Sequence, residues 1–139
     1  MNTEKSLLKF LGYHVDAMHF ALKPGASFSN QEIELEPLFD RHITSIGDGK
    51  YTVEIGVKLQ QSNLPFTVEL RLTGLFECEG VQDEQRALKI NGVAILYPYV
   101  RSTLSLATSL ASIPPIVLPT INLARMFEEE EQGASSENK

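Results

Sequence analysis

Apolar and polar residues alternate strictly in Phe66-Thr67-Val68-Glu69-Leu70-Arg71-Leu72. Successive side chains of a β-strand point to opposite faces of the sheet, so this strand has one apolar and one polar face. A shift of one residue would exchange the two faces, which fixes the register wherever one face is buried. The stretch therefore predicts a half-buried strand of an antiparallel sheet.

The same alternation begins upstream, at Glu32, and recurs in residues 51–59. Gly47-Asp48-Gly49 and Ser62-Asn63-Leu64-Pro65 separate the alternating stretches with residues that favour tight turns. Downstream, Gly74 and Gly80 bracket residues 75–78, where we expect the strand to bend or bulge. The pattern predicts a meander of antiparallel strands.

The segment 7–22 fits two different periods. A helical stripe would consist of Leu7, Leu11, Val15, Met18 and Leu22, whereas a strand face would contain Tyr13, Val15 and Ala17. Periodicity alone slightly favours a helix here.

Three helices are predicted after the sheet. Residues 83–89 are rich in helix formers and begin with acidic residues, and Asn91-Gly92 then predicts a stop. A longer helix follows, with Pro98 in its first turn and an apolar stripe that can cover the sheet. That stripe consists of Leu96, Val100, Leu104, Ala107 and Ala111. Asn122 can cap a last short helix that runs through Phe127.

Composition indicates one α+β domain over residues 1–127 and a disordered acidic tail over 128–139. A chain of 139 residues with 42% hydrophobic residues suffices for one core. The tail carries −4 of the formal net charge of −6, so the folded body is close to neutral. Since no basic stripe is present, we expect no nucleic-acid binding.

The chain is expected to remain in the cytoplasm. Cys78 is the only cysteine, which excludes an internal disulfide and suits a reducing compartment. No signal-peptide pattern is visible at the N-terminus. Residues 102–124 lack charge, but Pro114, Pro115 and Pro119 would break a membrane-spanning helix.

No enzymatic motif, cofactor site or metal site is predicted. His14, His19 and His42 lack the spacing of metal ligands, and no nucleophile elbow or glycine-rich phosphate loop occurs. Glu77 and Glu79 would share one side of a strand, where solvated carboxylates are commoner than a catalytic pair. Cys78 lies between them and is interpreted as a small core residue.

The connection Ile113-Pro114-Pro115-Ile116-Val117-Leu118-Pro119 is almost wholly apolar, although loops are usually polar. It is either a buried crossover beneath the last helix or an exposed binding surface. Its prolines would stiffen the segment, so that apolar side chains are displayed at little ordering cost.

This C-terminal third resembles the SecB family of protein-export chaperones. The resemblance is carried by residues 91–101, which include Leu96-Tyr97-Pro98-Tyr99-Val100-Arg101, by the proline-containing connection 113–119, and by Asn122. Residues 75–80 are similar to that family's strand end before the helices. The resemblance implies a four-stranded antiparallel sheet with a long helix and short helices packed on one face. It also implies that the first segment is a strand.

The resemblance further implies an ATP-independent holdase that binds unfolded preproteins and forms a homotetramer, a dimer of dimers. The client-binding residues would be Leu75, Phe76, Ile113, Ile116, Val117 and Leu118. The apolar sheet face shared with assembly would contain Phe66, Val68 and Leu70.

Asp16 and Glu69 match two of the family's acidic contacts for the export motor SecA, whereas Phe20 and Thr67 stand where the family has a glutamate and a leucine. Two alternatives remain open. One is a SecB-like chaperone dedicated to an antitoxin or another single client, and the other is a structural or adaptor module with a buried connection.

Overall fold

The computed structural model describes residues 8–26, 34–78 and 84–110. Four strands form one antiparallel sheet in the order β1-β4-β3-β2. They are β1 (Leu8–Leu22), β2 (Leu38–Gly47), β3 (Lys50–Leu59) and β4 (Phe66–Cys78). The sheet is followed by α1 (Glu84–Ala87), a π-helical turn (Leu88–Gly92) and α2 (Val93–Leu110). The predicted α+β class with a four-stranded antiparallel sheet and one long helix is confirmed.

The first segment is a strand, so the helix favoured by periodicity alone is wrong and the strand implied by the resemblance is right. β1 pairs with β4 along its whole length, with irregularities between Phe10 and Gly12 and between Val15 and Ala17. Each bulge inserts one extra residue, Leu11 or Asp16, which turns a two-residue step into a three-residue step. The two bulges therefore gave a strand the spacing of a helical stripe.

The second strand begins later than the alternation predicted. Glu34, Leu35, Glu36 and Pro37 have no regular secondary structure, and β2 begins at Leu38. Proline lacks a backbone N–H and is poorly suited to a strand interior, so Pro37 precedes the strand rather than lying within it. Leu35 is nevertheless partly buried against the core, which explains its place in an apolar pattern.

Both predicted turns are present. Gly47, Asp48 and Gly49 have φ angles of 92°, 57° and 72°, in the region that glycine adopts without steric cost. The turn is tied to the neighbouring strand, because the Cys78 N–H donates to the carbonyl oxygen of Gly49 at 2.8 Å. The second turn, at residues 62–65, connects β3 to β4.

The helical region does not stop at Asn91-Gly92, contrary to the prediction. The chain continues through a π-helical turn into α2, and Pro98 lies inside α2 rather than in its first turn. Gly92 is buried, and a Cβ atom there would lie 3.3 Å from Cγ2 of Val53. This glycine therefore permits close packing of the helix on the sheet. From the sequence alone, a glycine in this role looks the same as a glycine that ends a helix.

The core lies between the sheet and α2. The buried set on β4 includes Phe66, Val68, Leu70, Leu72, Phe76 and Cys78, which confirms both the predicted alternation and the assignment of Cys78 to the core. From the helix, Leu96, Val100 and Leu104 are buried against it, as their spacing predicted. Among the described residues, no helix is both long and apolar enough to cross a bilayer.

Several predicted features lie outside the described residues. They are the connection 113–119, the last helix from Asn122 and the acidic tail 128–139.

Candidate functional site

The two faces of the sheet differ in what covers them. The helix side faces α2 and carries the buried residues of β3 and β4. The outer face carries the intervening residues, which align in rows across the strands. One row contains Lys9, Glu77 and Lys50, and the row beside it contains Gly12, Leu75, Thr52 and Thr44. The three rows after these are His14-Thr73-Glu54-His42, Ala17-Arg71-Gly56-Asp40 and His19-Glu69-Lys58-Leu38.

Arg71 is the centre of an ion-pair network on the outer face. Its Nη1 and Nη2 donate to the two carboxylate oxygens of Asp40 at 3.2 and 2.7 Å, and Nη2 also donates to Glu54 Oε1 at 2.9 Å. The hydrogen bond from Arg71 holds the pKa of Asp40 below its usual value, and the bond to Asp40 raises the pKa of Arg71. The positive charge of Arg71 is thus balanced by carboxylates on β2 and β3.

Gly56 makes room for this network. Asp40 and Arg71 lie on strands separated by β3, and Gly56 stands between them in the same row. A Cβ atom at position 56 would lie 2.4 Å from Nη1 of Arg71 and 2.7 Å from Oδ2 of Asp40. Only glycine lets the two side chains meet directly over the central strand in this arrangement.

Asp40→Asn is expected to remove an acid-sensitive part of the stability. Because the pKa of folded Asp40 is lowered, its contribution is present above the unfolded-state pKa and is lost as pH falls through the folded-state pKa, below about pH 4. Asp40 is 43% exposed, so the difference at pH 7 should stay under about 1 kcal/mol. Urea unfolding at pH 7 and pH 3 measures it, and Asp48→Asn, in the turn, is the control. An equal deficit of Asp40→Asn at both pH values would contradict this assignment.

The two acidic residues proposed for a motor contact both lie on the outer face. Asp16 is the extra residue of a β1 bulge, accepts a hydrogen bond from the Thr73 hydroxyl, and lies 2.9 Å from His14 Nε2. Glu69 lies in one row between His19 and Lys58 and borders a shallow hollow of about 350 Å³. Positively and negatively charged side chains therefore alternate on the outer face. The sequence did not predict this arrangement, because the residues that pair are far apart in the chain.

Leu75 and Phe76 do not share a face. Phe76 is fully buried on the helix side, where its ring centroid lies 5.2 Å from that of Phe10. Leu75 is half-buried on the outer face, opposite Gly12. A client on one face could not contact both side chains. The other predicted client-binding residues, Ile113, Ile116, Val117 and Leu118, lie outside the described residues.

Phe66, Val68 and Leu70 lie in the core of the single chain, with 1–3% of each residue exposed. They offer almost no side-chain area to a second molecule. Phe66 stacks on Phe20 of β1 at a centroid distance of 5.4 Å, so the apolar face predicted for assembly continues onto β1.

An apolar strip that α2 covers only in part lies along β1 on the helix side of the sheet. The Tyr13 ring lies 4.5 Å, centroid to centroid, from the ring of Tyr99 in α2. Tyr13, Val15, Met18 and Leu22 align with buried β4 residues but are themselves 41–50% exposed. We call these four residues the β1 strip. The sequence pattern grouped Val15, Met18 and Leu22 in a helical stripe, because the bulges give the strand that spacing. The paired residues on β4 were predicted correctly.

The outward side of α2 is also unusually apolar. Leu106 and Leu110 are 59% and 71% exposed, and Arg101 is the only charged residue of the helix. The remaining exposed positions of the helix are Ala94, Pro98, Ser102 and Ser109. Surface helices normally carry charged residues on the side away from the core, so this side is unusual for one that faces water.

The described ranges contain no group of three or more His, Cys, Asp or Glu side chains that could hold a metal ion. The side-chain contacts of the outer face are ion pairs and hydrogen bonds. The β1 strip and α2 add exposed apolar area.

Comparison with known proteins gives matches over most of the chain. The family model described as preprotein translocase subunit SecB matches residues 22–134. An uncharacterized protein of Methanocaldococcus jannaschii is 31% identical over 135 residues, covering 92% of this chain and 87% of that protein. The protein-export protein SecB of Neisseria meningitidis serogroup A is 29% identical over 112 residues, covering 73% and 76%.

A solved structure has the same fold. It is the SecB-like chaperone of Mycobacterium tuberculosis in complex with a ChAD peptide from the HigA1 antitoxin. The TM-score is 0.70 at 18% identity, and the match covers 83% of this chain and 91% of that one.

Proposed function

The chain belongs to the SecB family, and from this premise we propose that it is an ATP-independent holdase that binds unfolded or precursor proteins in the cytoplasm. The observation that carries the proposal is the match of the SecB family model to residues 22–134. The exposed apolar area at the β1 strip and along α2 adds support, because it offers a surface for contact between copies of the chain. Exposed apolar area of this kind marks a surface for contact with other polypeptides.

The β1 strip and the outward side of α2 form the assembly surface of a homo-oligomer. β1 is an edge strand, so its outer backbone groups can pair with a second copy while the strip packs against that copy's helix. The small side chains at Ala94, Ser102 and Ser109 would allow two helices to approach closely. A dimer of dimers uses both surfaces, which supports the tetramer implied by the family.

Client binding then falls to the apolar connection 113–119 and to Leu75. Burying about 600 Å² of apolar client surface would contribute about 15 kcal/mol. Ordering about ten client residues costs on the order of 10–15 kcal/mol, so one segment should bind weakly. Tight holding requires one client to engage several subunits, because the second and later contacts occur at high effective concentration.

Substitution of Ile116 and Leu118 by aspartate is expected to abolish the suppression of aggregation. The assay follows light scattering of a refolding substrate with purified protein and without ATP. Two charges in an apolar binding segment would have to be desolvated on contact, which strongly opposes client binding. A matched control, Thr44→Asp with Ser45→Asp, adds the same charge at exposed positions of β2.

Thermal unfolding separates the two interpretations of the connection. Unchanged stability of the Ile116→Asp, Leu118→Asp variant with lost activity supports an exposed binding segment. A collapse of stability would instead show that the connection is core, and the client site would have to lie elsewhere. If the wild-type protein itself failed to slow aggregation, the adaptor alternative would replace the holdase.

Delivery to the export motor SecA through Asp16 and Glu69 completes the proposal, since both carboxylates are presented on the same outer face. A second candidate, a chaperone dedicated to one antitoxin, is favoured by the antitoxin peptide bound to the M. tuberculosis relative. Titration with SecA and with unrelated unfolded proteins distinguishes them. A dedicated chaperone would bind neither.

A further inference from the structure

The side chain of Gln61, in the connection between β3 and β4, is hydrogen-bonded to the backbone of the segment that leads into β2. Its Oε1 accepts from the Glu36 N–H at 2.7 Å, and its Nε2 donates to the Glu34 carbonyl oxygen at 2.9 Å. Nε2 also donates to Asn63 Oδ1 at 2.7 Å. One amide group thus makes three bonds, and the bond to Asn63 fixes which end of the amide carries the nitrogen.

The Gln61 amide continues the pairing of β2 beyond the end of the strand. The β2–β3 ladder ends where Leu38 pairs with Lys58, and Pro37 has no N–H with which to extend it. In an extended chain, a carbonyl oxygen and the N–H two residues later lie on the same edge, and the amide bonds to both. The side chain of Gln61 therefore takes the place of a paired strand for residues 34–36.

The backbone of Gln61 is fixed from the β1 side. Lys23, the residue after β1, donates from its N–H to the Pro65 carbonyl oxygen at 2.9 Å and from Nζ to the Gln61 carbonyl oxygen at 2.9 Å. Leu64 is 4% exposed and donates from its N–H to the Gln61 carbonyl oxygen at 3.3 Å. The connection that carries Gln61 is thus tied to the sheet independently of residues 34–36.

Residues 34–36 place one apolar side chain on the core. Leu35 is partly buried against the core cluster, while Glu34 and Glu36 on either side of it are exposed. We call the part of the core surface that this side chain covers the Leu35 seat. Backbone bonds to an amide do not depend on side-chain identity, so any extended segment with an apolar residue at its centre has the groups that this contact uses.

The contact of residues 34–36 can open while the domain stays folded. Both bonds from Gln61 to this segment are exposed to solvent, so water can replace them at little cost. Local openings that break a few exposed hydrogen bonds are more frequent than unfolding of a whole domain. Gln61 keeps its position in the opened form, because Lys23 and Leu64 hold its backbone.

We propose that residues 34–36 occupy a binding site for extended client segments, in which the Gln61 amide bonds to the client backbone and the Leu35 seat takes one apolar side chain. This inference rests on the proposed function and names a site for the same clients. The chain's own segment competes with the client and is present at high effective concentration. The site is therefore mostly closed in the free chain, and weakening of the internal contact should tighten client binding.

The test uses the full chain with Leu35→Ala and a peptide that copies residues 34–36 between flanking glycine and serine residues. We expect the peptide to bind this variant at least about tenfold more tightly than the wild type, because the internal competitor is weakened. NMR titration follows the backbone N–H signal of Leu64, which donates to the carbonyl oxygen of residue 61. Leu38→Ala is the matched control and should bind like the wild type, since Leu38 is 56% exposed on the outer face.

Two further variants examine the role of the amide. Gln61→Met, combined with Leu35→Ala, keeps the length of the side chain but removes its hydrogen bonds, and should cancel the gain in peptide binding. Glu36→Pro removes the N–H that donates to Gln61 and leaves Leu35 and Gln61 in place, so it should open the site as Leu35→Ala does. Thermal unfolding shows that each variant is folded, and a peptide with serine at its centre should bind none of them.

Equal binding of the peptide by the wild type, Leu35→Ala and Glu36→Pro would overturn the proposal, and so would an undiminished gain when Gln61→Met is added. The aggregation assay separates this site from the holdase. A wild type that suppresses aggregation, with a Leu35→Ala variant that binds the peptide no better, refutes the site and leaves the holdase intact. A Leu35→Ala variant that binds the peptide, while neither protein suppresses aggregation, refutes the holdase instead.

Discussion

Phe76→Ala is expected to lower the free energy of unfolding by about 3–5 kcal/mol. The side chain is fully buried and packs against the ring of Phe10, and its Cε1 would be 2.9 Å from a Cβ atom at Gly74. Removal of the ring leaves a cavity between the sheet and α2 that glycine neighbours cannot fill. Since domains are stable by about 5–15 kcal/mol in total, this one change would bring the protein close to unfolding.

Chemical denaturation monitored by circular dichroism measures the loss, and Leu75→Ala is the matched control. Leu75 is the adjacent residue, is only half-buried on the outer face, and should cost clearly less stability. The pair of variants also tests the client-binding roles predicted for both residues. A Phe76→Ala variant that kept its stability but lost client binding would contradict the assignment of Phe76 to the core.

Val15→Glu combined with Met18→Glu is expected to dissociate the proposed homo-oligomer, weakening association by about a thousandfold. Both residues belong to the β1 strip and are 44% and 46% exposed in the single chain. Their burial in an interface should contribute on the order of 4 kcal/mol together, before the cost of desolvating two carboxylates is added. The change acts on subunit contacts because neither side chain is part of the buried core.

Light scattering coupled to size-exclusion chromatography over a range of protein concentrations measures this effect. The matched control is His19→Glu with Ala21→Glu, which adds two carboxylates to the same strand but on the outer face. The control should keep the oligomeric state of the wild type. If the β1 strip variant also kept it, the assembly surface would have to lie elsewhere.

The features that depend on short-range periodicity could be predicted from the sequence. The alternation in 66–72 fixed both faces of β4, and the Gly47-Asp48-Gly49 turn was read correctly from its composition. The stripe of Leu96, Val100 and Leu104 likewise predicted the buried side of α2. Each of these depends on residues within a few positions of one another, so the local pattern contains the information.

For residues 8–22, periodicity alone favoured a helix, whereas the family resemblance implied the strand that is observed. The bulges at Leu11 and Asp16 shifted the phase of the alternation, and pairing with β4 is what holds this segment extended. A segment that is marginal in its own preference takes the structure that its neighbours impose.

The side-chain contacts between strands follow from the tertiary structure and not from any local pattern. Arg71 reaches Asp40 over Gly56, and His19 faces Glu69, although each pair is separated by at least 31 positions in the chain. Similarly, the exposure of the β1 strip depends on how far α2 extends over the sheet, which no local pattern specifies. Side-chain spacing along a strand fixes the face on which a residue lies, whereas strand order, register and helix placement fix its neighbours. The apolar face could therefore be predicted from the sequence, whereas the arrangement of charged residues on the outer face could not.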